Sequence, residues 1–201
     1  MKYLWQMISN VFHPILSMVW ATLIVIFFSP IAMFPENARW ALLVWVALFS
    51  FLIPTLLIGV LSAIGVVKHG VALHDRKDRF VPLGIDALCL LCLVISLIRM
   101  GVFGWLIHFY WAAFFVVAAC FLINLFWKVS AHAAGNAAIT TACFVLYYAN
   151  PLFVPLILPL GYLILTGLIC SIRLYLGRHS FGQVAVGFSV GVISTLLGML
   201  C

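Results

Sequence analysis

The sequence predicts an all-α, polytopic transmembrane helical bundle of about six to seven spanning helices, and three observations carry that prediction. Of 201 residues, 67% are hydrophobic. Only 7% are charged, against about 25% in a soluble domain, so the chain has too little polar surface to face water and must face lipid or itself. The apolar residues also gather into runs near the ~20 residues that a helix needs to cross the hydrocarbon core, with a mean hydropathy of +1.31 overall. These runs fill residues 1–201 without a linker or low-complexity tract, so the chain reads as one integral-membrane domain.

The runs lie at about residues 11 to 33, 40 to 67, 83 to 100, 103 to 127, 133 to 149, 152 to 170 and 181 to 200. The first is too long for a cleavable signal peptide and lacks a small-residue cleavage site before the charged stretch Glu36 to Arg39, so it is expected to stay as a helix. Phe34-Pro35-Glu36-Asn37 ends it. Within the second run, Pro54 removes a backbone donor and is expected to kink the helix. Polar or turn-forming residues separate the next segments: Lys68 to Pro82, Met100-Gly101 and Lys128 to His132. The fifth and sixth runs meet at Asn150-Pro151 and read as a helical hairpin. Ser171 to Ser180 precede the last run, in which Gly187-Phe-Ser-Val-Gly191 has the spacing of close helix packing inside a bundle.

The formal charge is +6, but the basic residues sit at the ends of apolar runs, where topology and anionic headgroups use them, which argues against nucleic acid as a partner. Nearly all six cysteines lie inside apolar runs and act there as small hydrophobes. Cys89-Leu-Leu-Cys92 has a metal or redox spacing, yet it lacks a second pair and hydrophilic surroundings. Asp75, Asp78 and Asp86 are too isolated to form paired magnesium-binding motifs. His13 and His108, beside Trp and Tyr near segment ends, are expected to anchor the chain at the interface. Arg99 is expected to snorkel to the opposite face.

The remaining polar residues form three clusters: His69 to Arg79, Lys128 to His132, and Arg173 to Gln183. Two crossings separate each neighbouring pair, so all three are expected at one membrane face. Charged groups at membrane depth are costly, and clusters that meet there suggest a site. His179 and Gln183 are four apart, one helix face, so the Gln183 carbonyl can accept from the imidazole and fix its tautomer. Arg173 adds a planar fork for phosphate oxygens beside a nucleophile near neutral pKa. Ser130 and His132 open a helix whose free backbone donors favour an anion, and His132 is suited to protonate a leaving oxygen. Each cluster also has a plainer reading: a basic turn capping two helices, a Ser130 cap with His132 at the interface, and a solvated Asp75 to Arg79 loop among headgroups.

These residues resemble the type 2 phosphatidic acid phosphatase superfamily of membrane lipid phosphatases, in a divergent bacterial subgroup. Its third motif, Ser-Arg, five residues, His, three residues, Asp, is similar to Arg173, His179 and Gln183; Ile172 separates Ser171 from Arg173, and Gln183 stands where the family has Asp. Its second motif, Pro-Ser-Gly-His, is similar to Val129-Ser130-Ala131-His132. The best counterpart of its first motif, Lys, six residues, Arg-Pro, is Asp75-Arg76-Lys77-Asp78-Arg79-Phe-Val-Pro82.

The resemblance implies a lipid phosphatase that hydrolyses a phosphomonoester or diphosphate of a membrane lipid with no metal and no cofactor. His179 would form a phosphohistidine, and His132 would be the general acid. Arg173, Arg76 and Arg79 would clamp the phosphate with help from Ser130. It also implies the bacterial inner membrane. Gln183 can orient an imidazole but has no charge to stabilise an imidazolium, so the alternative is a noncatalytic descendant that binds or moves phospholipids. Lys2, Lys68, Lys77, Lys128 and Arg178 outnumber Arg39 and Arg99, which points the clusters to the cytoplasm by the positive-inside rule; family members often work on the outer face.

Overall fold

In the computed structural model, residues 2–66 and 77–200 are described, and every regular element among them is helical. In chain order these are α1 (Lys2–Val11), α2 (Pro14–Phe27), α3 (Glu36–Ala47), α4 (Ile53–Ala63), α5 (Phe80–Arg99), α6 (Gly104–Phe126), α7 (Ala131–Ala149), α8 (Ile157–Tyr175) and α9 (Phe181–Leu200), with short 3₁₀ and π turns between. Among the described residues, five stretches are long and apolar enough to cross a membrane: Glu36–Ala63, α5, α6, α8 and α9. A sixth is reached if α1 and α2, bent by 58° at their junction, count as one. The chain is therefore an integral-membrane type of helical protein, with five or six spans by length and apolarity where the sequence reading expected six to seven.

The difference comes from α7. It is 19 residues long, but His132, Asn136, Thr140 and Thr141 lie along it and are buried. These groups are satisfied inside the protein: Asn136 Nδ2 donates to the His132 carbonyl at 2.9 Å, and Thr140 and Thr166 hydroxyls meet at 2.8 Å. Such bonds are required where no water reaches the backbone. Helix α7 packs against α8, α9, α2 and α6, so it is the central helix of the bundle.

Proline sets two departures from the expected segments. The first helix starts at Lys2 rather than near residue 11 and breaks before Pro14, whose missing donor suits a first helical position. His13 caps the restarted helix, its Nδ1 accepting from the Ile15 N–H at 3.3 Å. At Pro54, where a kink was expected, the chain stays helical through a π turn over Leu48–Leu52, with the Ile53 N–H reaching the Leu48 carbonyl, a helix irregularity of the kind that accompanies kinks. In the hairpin, α8 starts at Ile157, beyond Pro151 and Pro155, and runs on to Tyr175, which places Arg173 in its last turn.

Two glycine features position the end of the bundle that matters below. Gly177, at φ +64°, ends α8 with its N–H on the Leu174 carbonyl and the Arg178 N–H on the Arg173 carbonyl, the paired bonds of a left-handed C-terminal cap. On α9, a Cβ at Gly187 would lie 2.5 Å from the Ser130 carbonyl oxygen, and one at Gly191 would collide with the Ala134 carbonyl. The glycine pair thus packs α9 onto α7 within the bundle, as its spacing suggested. Val25, Leu93, Val94 and Tyr110 form the apolar centre between α2, α5 and α6.

Candidate functional site

Three chain segments meet at one end of the bundle. Arg79, preceding α5, donates from Nη1 to the Val129 carbonyl at 3.2 Å. Lys128 Nζ donates to the Arg178 carbonyl at 3.2 Å, and the Ser130 N–H donates to the Gln183 carbonyl at 3.2 Å. A cavity of about 880 Å³ opens there, and its wall includes Arg79, Lys128, His132, Arg173, Arg178 and His179. Members of all three sequence clusters therefore face one space. Arg76, with Lys68, His69 and Asp75, lies outside the described residues.

His179 stands between the turn at Gly177 and the start of α9 and is only 6% exposed. Its Nδ1 is 3.0 Å from Gln183 Oε1, which also accepts from the Ser180 N–H at 3.3 Å. A backbone N–H can only donate, so the Gln183 atom facing it is the oxygen, and Nδ1 of His179 carries the proton. Nε2 keeps its lone pair. Burial, followed by the charge of Arg79 and more weakly those of Arg173 and Lys128, lowers the His179 pKa to about 3, while the Gln183 hydrogen bond opposes the shift. The imidazole is neutral at pH 7, the form a nitrogen nucleophile needs.

His132, 8% exposed, opens α7. Its Nε2 lies 3.2 Å from the Ser9 carbonyl, an acceptor only, so Nε2 carries a proton and Nδ1 is the nitrogen left for exchange. The Ser9 hydroxyl accepts from Arg173 Nη1 at 3.0 Å. One residue of α1, itself 2% exposed, thus holds both a histidine and an arginine of the cavity. His13 completes this side: its ring centroid is 5.0 Å from that of His132, edge to face at 82°.

Several expectations are revised by this geometry. His13 was expected to be an interface anchor; it lines the cavity, because the break before Pro14 turns it inward against α7. Ser130 is fully buried and caps α7, its Oγ accepting from the Ala133 N–H at 3.4 Å, and it does not line the cavity. Ser171 is exposed on α8 and bonds the Gly167 carbonyl, away from Arg173's partners. The cavity wall also takes in Ser9, His13 and Asp86, which the sequence did not place with the three clusters. His13-Pro14 ahead of an apolar run was the one local signal, since proline after a capping residue marks a helix start.

Chemically, the cavity can bind an anion through two arginines and present a neutral imidazole nitrogen to it. Among the described residues, no three His, Cys, Asp or Glu side chains come together as a metal-ligand set. Comparison of the chain with protein-family models, with curated proteins and with solved structures finds no match in any of the three.

Proposed function

We propose that the protein is an integral membrane lipid phosphatase, hydrolysing a phosphomonoester or diphosphate of a membrane lipid through a phosphohistidine on His179, without a metal ion. One observation carries this reading: Arg79, Arg173 and His179 face a single cavity, and Gln183 leaves Nε2 of His179 as a free lone pair. Phosphate-ester hydrolysis is among the slowest uncatalysed reactions, and a clamp plus a covalent intermediate is a physically sufficient answer to it.

In the proposed sequence, the arginine forks hold the nonbridging oxygens while Nε2 of His179 attacks phosphorus. The N–P bond forms as the P–O bond to the lipid breaks, and the departing oxygen takes a proton from Nδ1 of His132 in the form of that ring which carries protons on both nitrogens. Water then attacks phosphorus, the P–N bond returns its electron pair to Nε2, and His132 takes up the water proton. Inorganic phosphate and the lipid alcohol leave. The apolar stretch of the cavity wall, with Ile15, Phe51, Ile58 and Leu83, suits the lipid chain. Counting α7 and the bent α1–α2 pair as spans gives seven crossings. The bacterial inner membrane follows from the motif resemblance.

Gln183 favours a second reading, a noncatalytic phospholipid-binding or transport protein, because an amide cannot stabilise an imidazolium by charge. Phosphate release decides between them. The purified protein in detergent is given phosphatidate, phosphatidylglycerol phosphate, a polyprenyl diphosphate and a lipid A phosphate, with chelator present and beside His179→Ala. Release that requires His179 but no metal is expected. Binding of these lipids by the folded protein without release would select the second reading.

A further inference from the structure

We propose that Asp86 is a specificity residue, hydrogen-bonding the oxygen-bearing linker between the phosphate and the chains of the bound lipid. This rests on the phosphatase reading for the phosphate and adds what the rest of the substrate must carry. Asp86 and Arg79 both line the large cavity. Arg79 immediately precedes α5, and Asp86 lies seven residues further on, two helical turns and about 10 Å deeper into the spanning segment.

Asp86 is the acidic side chain of that wall among the described residues, and no described group donates a hydrogen bond to it. Asn136, Thr140 and Thr22 are tied to the His132 carbonyl, Thr166 and Tyr110; the Thr55 and Thr195 hydroxyls along these walls also lack a partner, but Asp86 is the ionisable group among them. An ionisable group left unpartnered inside a membrane segment is expensive, and where such groups face a cavity they serve a ligand.

The surroundings say what that ligand is like. Pro14, Ile15, Leu83 and Ala131 flank Asp86 and continue into a smaller, apolar void of about 70 Å³ bordered by Leu90 and Phe109. Asp86 thus stands where the basic part of the cavity gives way to hydrocarbon, the level at which a bound lipid's linker joins its chains. An ionised carboxylate accepts from a linker hydroxyl, and a neutral carboxyl donates to a linker ester carbonyl. A prenyl phosphate has only hydrocarbon at that level and satisfies neither.

The test compares farnesyl phosphate with a short-chain diacylglycerol phosphate in the same detergent. Wild type is expected to favour the glycerolipid in kcat/KM. Asp86→Leu should cut the glycerolipid value roughly ten- to a hundredfold, the loss of one buried hydrogen bond, and leave farnesyl phosphate unchanged or better. Asp86→Asn, which keeps a donor and an acceptor, should retain most of the preference and covers the case in which Asp86→Leu fails to fold. Wild-type preference for farnesyl phosphate, or equal losses on both lipids, overturns the proposal. Competition binding of the two lipids to His179→Ala, with and without Asp86→Leu, reads the same ratio without turnover. If wild type hydrolyses neither lipid, the phosphatase reading fails, while the binding ratio still decides the role of Asp86.

Discussion

Oε1 of Gln183 accepts from both Nδ1 of His179 and the backbone N–H of Ser180, at 3.0 and 3.3 Å. The second bond fixes the amide, and the fixed amide fixes the imidazole tautomer. Gln183→Leu removes the acceptor and lets the ring turn or change tautomer. In the serine protease triad, replacing the orienting Asp with Asn costs about 10⁴ in turnover by that route. A loss of roughly 10²- to 10⁴-fold in kcat is therefore expected for Gln183→Leu, with lipid binding kept. Phosphate release and lipid binding measured side by side check it; unchanged kcat would show that the amide orients nothing.

The acidic side of the pH dependence follows from the same ring. His179 has its folded-state pKa lowered to about 3 by burial and by Arg79, below the ordinary 6.5. Between those values the unfolded chain binds a proton that the folded protein does not, so this group's contribution to stability falls as pH drops from 6.5 toward 3. His179→Gln should lessen that acid-side fall in the thermal midpoint in detergent. For turnover, Gln183→Asp places a carboxylate beside the imidazole and raises its pKa. The acid limb of kcat/KM is expected to move to higher pH than in wild type; an identical limb would mean that another group sets it.

Ser9 offers a separate check, because its two oxygens do different things. The hydroxyl accepts from Arg173 and the carbonyl accepts from His132. Ser9→Ala removes only the hydroxyl, leaving Arg173 unheld at that nitrogen, and is expected to raise KM several-fold with kcat less affected. Ser9→Thr should restore KM. If Thr restores nothing while the thermal midpoint drops in both variants, the residue is a packing element of α1 and no more.

What the sequence disclosed and what it hid divide along chain distance. Arg79, His132, Arg173 and His179 mark themselves by their chemistry, since charged and imidazole groups cluster in the short stretches between apolar runs, and all four face one cavity. The His179–Gln183 bond was legible because it is an i, i+4 relation on a helix start. Ser9 was not legible. Its contacts to His132 and Arg173 span 123 and 164 residues, and a serine in an amphipathic helix carries no local mark. The plain reading of Ser130 as a cap matches its geometry, because N-cap serines satisfy a nearby N–H in any helix, with or without a site. The helix ends at Val11, Ile157 and Tyr175 shifted from their expected places because prolines and the Gly177 turn, more than hydropathy, decide where these helices stop.

His13 links the helix break to the chemistry. Its Nδ1 caps α2, and its ring meets His132 edge to face at 5.0 Å. Asparagine is an equally good capping residue, so His13→Asn keeps the start of α2 and removes only the ring. His132 then loses the contact that limits its rotation, while its bond to the Ser9 carbonyl remains. A proton donor matters most when the leaving group is a poor one. His13→Asn is therefore expected to lower kcat about tenfold on an alkyl phosphate, whose alkoxide needs a proton to depart, and to change it little on a nitrophenyl phosphate, whose phenolate does not. His13→Ala should show the same pattern with a further loss of about 1 kcal/mol of stability from the missing cap. Equal losses on both substrates would place His13 in the packing of α2 alone, and no loss on either would remove it from the site.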